Sequence, residues 1–297
     1  MNISLDSSQL AAISRFFSSA VLQEMARSGK SPLFTRLVRE SKLDEITKDL
    51  RAVGGFFDFA FKLLKQKDYR YEYAYKSAIT HKLLMGVHSL RTASMLSEFR
   101  VGTCKADLAI LNGTSTVYEI KSERDNLERL PNQIATYCKV FAKVNIITGE
   151  CHLDAIRAMV PEEIGILVLN SRFQISTLRE AVDRPGAIDP CVVFDSISKT
   201  EAIRILHMMN IEVPDVPNTR FHAAMTEIFS LLDPVDLHAC MIVVLKETRS
   251  LLPLSELVSA LPKSLQAAAF STPLRKRDYS KLLSAVATPL SEALDWA

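Results

Sequence analysis

Lys105-Ala106-Asp107-Leu108-Ala109-Ile110-Leu111-Asn112-Gly113-Thr114-Ser115-Thr116-Val117-Tyr118-Glu119-Ile120-Lys121 decides how the rest of the chain is read. Two apolar stretches, 105–111 and 116–121, flank Asn112-Gly113, a dipeptide suited to a tight β-hairpin. A three-residue loop, Asn112 to Thr114, sets Leu111 opposite Ser115 and Asp107 opposite Glu119, with Cβ atoms ~5 Å apart. Side chains alternate along a strand, so Lys121 shares the face of Glu119 while Ile120 points into the core. Two carboxylates and an amine thereby converge. Carboxylates that close repel unless a cation sits between them, and hard oxygen ligands suit Mg²⁺ or Mn²⁺. Removing either carboxylate is accordingly expected to leave the metal-free fold as stable or slightly more so.

Outward from the hairpin, strands and helices alternate. A strand is predicted over 97–101, a helix over 131–143, a buried strand over 144–147, a helix over 153–159, and strands over 164–169 and 173–177. Residues 7–27 have apolar positions at three- and four-residue steps and predict one amphipathic helix. A second is expected over 43–67, broken or bent near Gly54-Gly55, and a third over 70–84. Beyond 178, past the linker-like Pro185-Gly186 and Asp189-Pro190, helices are expected over 196–209, 221–232, 234–248, 253–261 and 279–294, with 191–194 as one further strand. The expected organisation is a helical amino-terminal region 1–68, a mixed α/β core 69–178 and a helical carboxy-terminal region 179–297.

The hairpin and its surroundings resemble the PD-(D/E)XK nuclease superfamily, whose signature is D-x(n)-E-x-K. Gln133-Ile134-Ala135-Thr136-Tyr137 matches the Q-h-x-x-Y motif of its RecB-type nucleases. Gln133 and Tyr137, four residues apart, share one helix face. Glu72, in Tyr71-Glu72-Tyr73, stands on the helix before the first strand, where that family carries an acidic residue; Glu98 reads as a structural or supporting group. The similarity covers about 70–147 and departs from the family in having no Pro before Asp107. It implies a restriction-endonuclease-like mixed sheet flanked by helices, with all-α regions on either side. It also implies metal-dependent hydrolysis of phosphodiester bonds, in DNA rather than RNA, in phage defence or DNA repair. Asp107, Glu119 and the Ile120 carbonyl would hold Mg²⁺ or Mn²⁺, and Lys121 would serve the water. The chain would act alone, as a homo-oligomer or with a partner protein. The rival reading is a non-catalytic nucleic-acid-binding or protein-interaction module on a nuclease fold. Residue by residue, the plainer alternatives are an ion-pair ladder for Asp107, Glu119 and Lys121, a half-buried helix face for Gln133 and Tyr137, and helix support from Lys76 for Glu72.

Composition sets the outer limits. The chain of 297 residues carries 36 Lys and Arg against 34 Asp and Glu, a net charge of +2, so bulk charge selects no partner. Its 48% hydrophobic content excludes a disordered class. Five scattered cysteines form no C-x-x-C pair, which speaks against a disulfide framework or zinc knuckle and for a reducing cytoplasm. The first residues show no signal-peptide pattern and no apolar run approaches ~20 residues, so no membrane association is expected. Gly29-Lys30-Ser31 only superficially resembles the end of a P-loop. Arg275-Lys276-Arg277 reads as a solvated basic turn, with nucleic-acid contact as the alternative.

Overall fold

The computed structural model describes residues 4–47, 51–88 and 90–296. Helix α1 (Ser7–Arg15) is followed by α2 (Ser19–Ser28), α3 (Pro32–Ser41), α4 (Val53–Leu64) and α5 (Glu72–Ile79), which runs on into a π-helical turn at Thr80–Leu84. Strands β1 (Ser94–Val101), β2 (Cys104–Asn112) and β3 (Thr114–Lys121) come next, then α6 (Leu130–Tyr137), β4 (Lys143–Thr148), α7 (Leu153–Met159), β5 (Gly165–Leu169) and β6 (Ile175–Arg179). The remaining helices are α8 (Pro190–Ser196), α9 (Lys199–Met208), α10 (Asn218–Ser230), α11 (Pro234–Thr248), α12 (Ser255–Ala260), α13 (Lys263–Ser271), α14 (Tyr279–Ala287) and α15 (Leu290–Ala293). Among the described residues, no helix is long and apolar enough to cross a membrane.

Several expected elements change for identifiable reasons. The helix expected over 7–27 is interrupted at 16–18. Phe16 and Phe17 are adjacent yet both buried, which one regular helix cannot arrange on a single face, and Ser18 takes the extended N-cap conformation instead. The helix expected over 43–67 is broken next to Gly54-Gly55, since α4 begins only at Val53 and residues 43–47 are not helical. A Cβ on Gly54 would meet Val286 Cγ1 at 3.0 Å, so the glycine permits close packing at the first turn of α4. Residues 48–50 of that expected element lie outside the described residues. The strand expected over 191–194 is helix α8: Pro190 occupies its first turn and the Asp189 carboxylate accepts from the N–H groups of Cys191 and Val192. The helix expected over 279–294 divides where Pro289 forces Thr288 into an extended conformation. Gly29 and Ser31 are a left-handed C-cap for α2 and an N-cap for α3, which disposes of the P-loop resemblance.

The chain divides into two compact units, one within 1–81, 171–173 and 251–297 and the other within 82–170 and 174–250. This differs from the expected segmentation at 68 and 178, because the helices after β6 are split between the units. In the helical unit, Phe16, Phe34, Phe56 and Phe57 are fully buried and meet largely edge to face, as with Phe16 and Phe56 at 5.1 Å.

In the other unit, six strands among the described residues form one sheet in sequential order. β1, β2 and β3 are an antiparallel meander, β4 and β5 run parallel to β3, and β6 returns antiparallel. The class is therefore α/β with a mixed sheet flanked by helices. One buried apolar cluster joins Ala106, Leu111, Val117 and Ile146 of the sheet to Phe194, Leu206, Phe229 and Leu245 of α8–α11. That shared core explains why those helices belong with the sheet.

Two polar ties fix α11 in this unit. Arg249 donates to both carboxylate oxygens of buried Glu201, at 2.7 and 2.8 Å, and lies 5.0 Å from the ring centre of Phe99. Burial pushes the Glu201 carboxyl up, but hydrogen bonds from Arg249 and Ser198 outweigh it and bring the pKa to about 2. His238 lies with Nε2 2.9 Å from the Ser115 hydroxyl, and burial lowers its pKa against the opposing charge of Asp183. Both shifts act in one direction. A histidine held neutral by burial costs stability as pH falls through its ordinary 6.5, and a carboxylate with depressed pKa loses its contribution between 4.5 and about 2. The urea midpoint is expected to fall on going from pH 7 to pH 5 and again below pH 4.5, and Arg249→Met to cost about 2 kcal/mol at neutral pH. A flat midpoint from pH 7 to 5 would remove His238 from this account.

Candidate functional site

The β2–β3 hairpin closes as its sequence requires. Gly113 turns with φ +70°, and Leu111 faces Ser115. Regular pairing runs out to Leu108 opposite Tyr118. One step further the strands part, and the Asp107 carboxylate fills the gap by accepting the Ile120 N–H at 2.7 Å. Ile120 itself is buried, on the opposite side from its neighbours Glu119 and Lys121. On the other flank, Ser97 pairs with Leu108 and Phe99 with Ala106, which leaves Glu98 across from Asp107. Glu98 has φ +57°, a left-handed conformation that is costly for a residue within a strand, and carboxylate oxygens of Glu98 and Asp107 lie within 4.8 Å of each other. Lys105 forms an ion pair with Glu98 at the exposed rim.

Glu119 is the hub. Only 2% of it is exposed, and both carboxylate oxygens are engaged. Lys121 Nζ donates to Oε1 at 2.9 Å and also to Gln133 Oε1 at 2.9 Å, while the Gln133 amide donates back to Glu119 Oε1. The Tyr137 hydroxyl lies 3.0 Å from Glu119 Oε2 and 3.0 Å from the Lys105 carbonyl. Gln133 and Tyr137, one turn apart on α6, thus both face β3. Burial raises the Glu119 pKa against the opposing pull of Lys121, Tyr137 and Gln133. Tyr137 is raised too, by burial and then by the charges of Glu119 and Asp107, so its phenol stays protonated and remains a donor. After β3, Asp125 accepts from the N–H and hydroxyl of Ser122, at 2.8 and 2.6 Å, and fixes the turn toward α6.

Asp107, Glu119, Lys121, Gln133 and Tyr137 are therefore brought together at one end of the hairpin. Glu72 opens α5 in the helical unit, half exposed, with Lys76 Nζ 2.6 Å from its carboxylate. Glu98, which the sequence suggests as a structural or supporting group, stands across from Asp107 in the register. A polar residue on the strand beside Asp107 was the available signal.

A mixed six-stranded α/β sheet with a buried acid–lysine–glutamine–tyrosine cluster is the class of protein defined by these observations. The chain matches the family described as Bacteriophage P4 protein cII over residues 65–266, about two thirds of its length, and belongs to that family. Protein cII of Enterobacteria phage P4 is 32% identical over 84 residues, which make up 28% of this chain and 32% of that protein. The match thus spans about a third of the relative's length. Among solved structures, the SPO1766 protein of unknown function from Silicibacter pomeroyi is similar with a TM-score of 0.28 and 16% identity, over 40% of this chain and 82% of that one.

Proposed function

We propose that the chain is a metal-dependent nuclease with a restriction-endonuclease-like core of the PD-(D/E)XK type, hydrolysing phosphodiester bonds of DNA. The observation that carries this reading is the convergence of Asp107, Glu119 and Lys121 with Gln133 and Tyr137 from the following helix. The donor set suits a hard divalent ion. Asp107 presents a carboxylate beside that of Glu98, and Glu119 lies on the next strand. Asp107, Glu119 and the Ile120 carbonyl would hold Mg²⁺ or Mn²⁺, which when bound supplies charge neutralisation at the phosphate and a more acidic water. The chain's own groups do the positioning. Lys121, tethered by Glu119 and Gln133, holds an ammonium where it can orient water and offset charge growing on the phosphate. Tyr137 anchors Glu119 from the far side as a permanently protonated donor. Gln133 bridges the two charged groups, so its loss is expected to loosen both. Roles in phage defence or DNA repair, and a cytoplasmic setting, accompany this proposal.

A second reading is favoured by the saturation of Glu119. A buried carboxylate with both oxygens engaged is also how a purely structural polar network looks, and it would suit a binding module without turnover. The test is incubation of plasmid and single-stranded DNA with Mg²⁺ or Mn²⁺ against an EDTA control. Cleavage is expected only with metal and is expected to vanish in Asp107→Ala, which removes a ligand and one acceptor for about 1 kcal/mol of stability. Binding without cleavage under every metal condition would favour the module.

A further inference from the structure

The helical unit contains a cleft of about 660 Å³ between the end of α2 and the segment 273–281. Arg27, Arg275, Arg277 and Lys281 line it against a single carboxylate, Asp278. In a chain whose net charge is only +2, such a local excess is not a by-product of overall composition. The four cations are exposed, and their settings differ. Lys281 Nζ donates to the Arg27 carbonyl at 2.9 Å, which holds it against the last turn of α2. The Arg27 guanidinium donates to Gln23, and Arg277 lies 3.8 Å from Asp278. Arg275 has no carboxylate partner among the described residues. The cleft falls outside residues 65–266, so the family match does not account for it.

We propose that this cleft binds the phosphate backbone of nucleic acid, acting as an anchoring surface separate from the hairpin site. The proposal rests on the nuclease reading for its choice of partner. Several guanidiniums and one ammonium facing an open, polar cleft, without an aromatic platform among its lining residues, fit phosphates rather than bases. Recognition is therefore independent of sequence and strongly dependent on salt.

The test is fluorescence anisotropy of a labelled oligonucleotide with the full chain in EDTA, titrated at several salt concentrations. Arg275→Gln/Arg277→Gln is compared with the parent and with Arg15→Gln/Arg36→Gln, which removes the same charge from exposed positions of the same unit. The cleft variant is expected to bind roughly tenfold more weakly at low salt and to lose about 1.4 to 1.8 from the slope of log affinity against log salt, equally for unrelated sequences. The control pair is expected to bind as the parent does. Equal affinity of the cleft variant and parent, or no oligonucleotide binding by the parent, would overturn the proposal. So would loss of binding to phosphatidylserine vesicles with oligonucleotide binding unchanged, which would assign the cleft to a membrane surface. Cleavage with Mg²⁺ is scored separately on the same preparations. A cleft that binds in a protein that never cuts sinks the nuclease reading alone, and cutting with an indifferent cleft sinks this proposal alone.

Discussion

Glu119→Ala is expected to lower the unfolding free energy by about 3–5 kcal/mol, the cost of leaving a buried charge without its partner. Sequence reasoning placed Lys121 on the same face but weighed only the repulsion between the two carboxylates, and expected no loss. The structure reverses the sign. Glu119 receives Lys121 and Gln133 on one oxygen and meets Tyr137 on the other, and Lys121 is itself only 7% exposed. Without the carboxylate, an ammonium remains buried with one amide oxygen as its acceptor. The double variant Glu119→Ala/Lys121→Met separates this mechanism from simple loss of packing. If the unpaired charge causes the damage, deleting it as well should restore much of the lost stability, because an ion pair replaced by apolar groups is often nearly neutral. Urea unfolding of the two single variants and the double variant measures the coupling. Additive losses would mean that Glu119 stabilises by packing alone.

The hairpin was legible because local chemistry fixes it: Asn112-Gly113 sets the loop, and period-two alternation then dictates which side chains share a face. The i, i+4 spacing placed Gln133 and Tyr137 equally well, since a helix face is a local property. What sequence could not give was the state of the carboxylates. That Asp107 bonds the Ile120 N–H, while Glu119 turns to Lys121 and α6, depends on the strands parting beyond Leu108 and Tyr118, a matter of tertiary geometry. The division between units was hidden for a similar reason. Helices α8–α11 and α12–α15 carry similar apolar patterns, and only packing assigns the first group to the sheet. The mistaken strand at 191–194 is different, because Asp189-Pro190 offered a cap and a first-turn proline that outrank β-branched content.

Lys121→Met is expected to abolish metal-dependent cleavage while costing less stability than Glu119→Ala, and the asymmetry follows from which charge each substitution strands. Methionine retains most of the lysine stem's volume, so packing is largely kept. The group left behind is Glu119, whose pKa burial has already raised and whose downward pulls include Lys121. Deprived of the ammonium, the carboxyl can take up a proton and escape most of the penalty, whereas in Glu119→Ala the buried Lys121 side chain keeps only the Gln133 oxygen as acceptor. The sign of the pH dependence follows. Glu119 binds its proton more tightly in the folded state than in the unfolded one, so the deficit of Lys121→Met relative to the parent is absent at low pH. It grows only as pH rises through the carboxyl's raised folded value in the parent, because the unfolded-state titration is common to both proteins. Urea midpoints of both proteins at pH 5 and pH 8 should therefore diverge toward pH 8. Cleavage, measured beside Mn²⁺ titration by calorimetry, should fall by roughly 10² or more, because the lost charge acted on the developing phosphate charge. Mn²⁺ binding should weaken near neutral pH and recover as Glu119 ionises at higher pH. Cutting at the parental rate would reduce Lys121 to a structural counter-ion for Glu119, and the nuclease reading would lose its central residue.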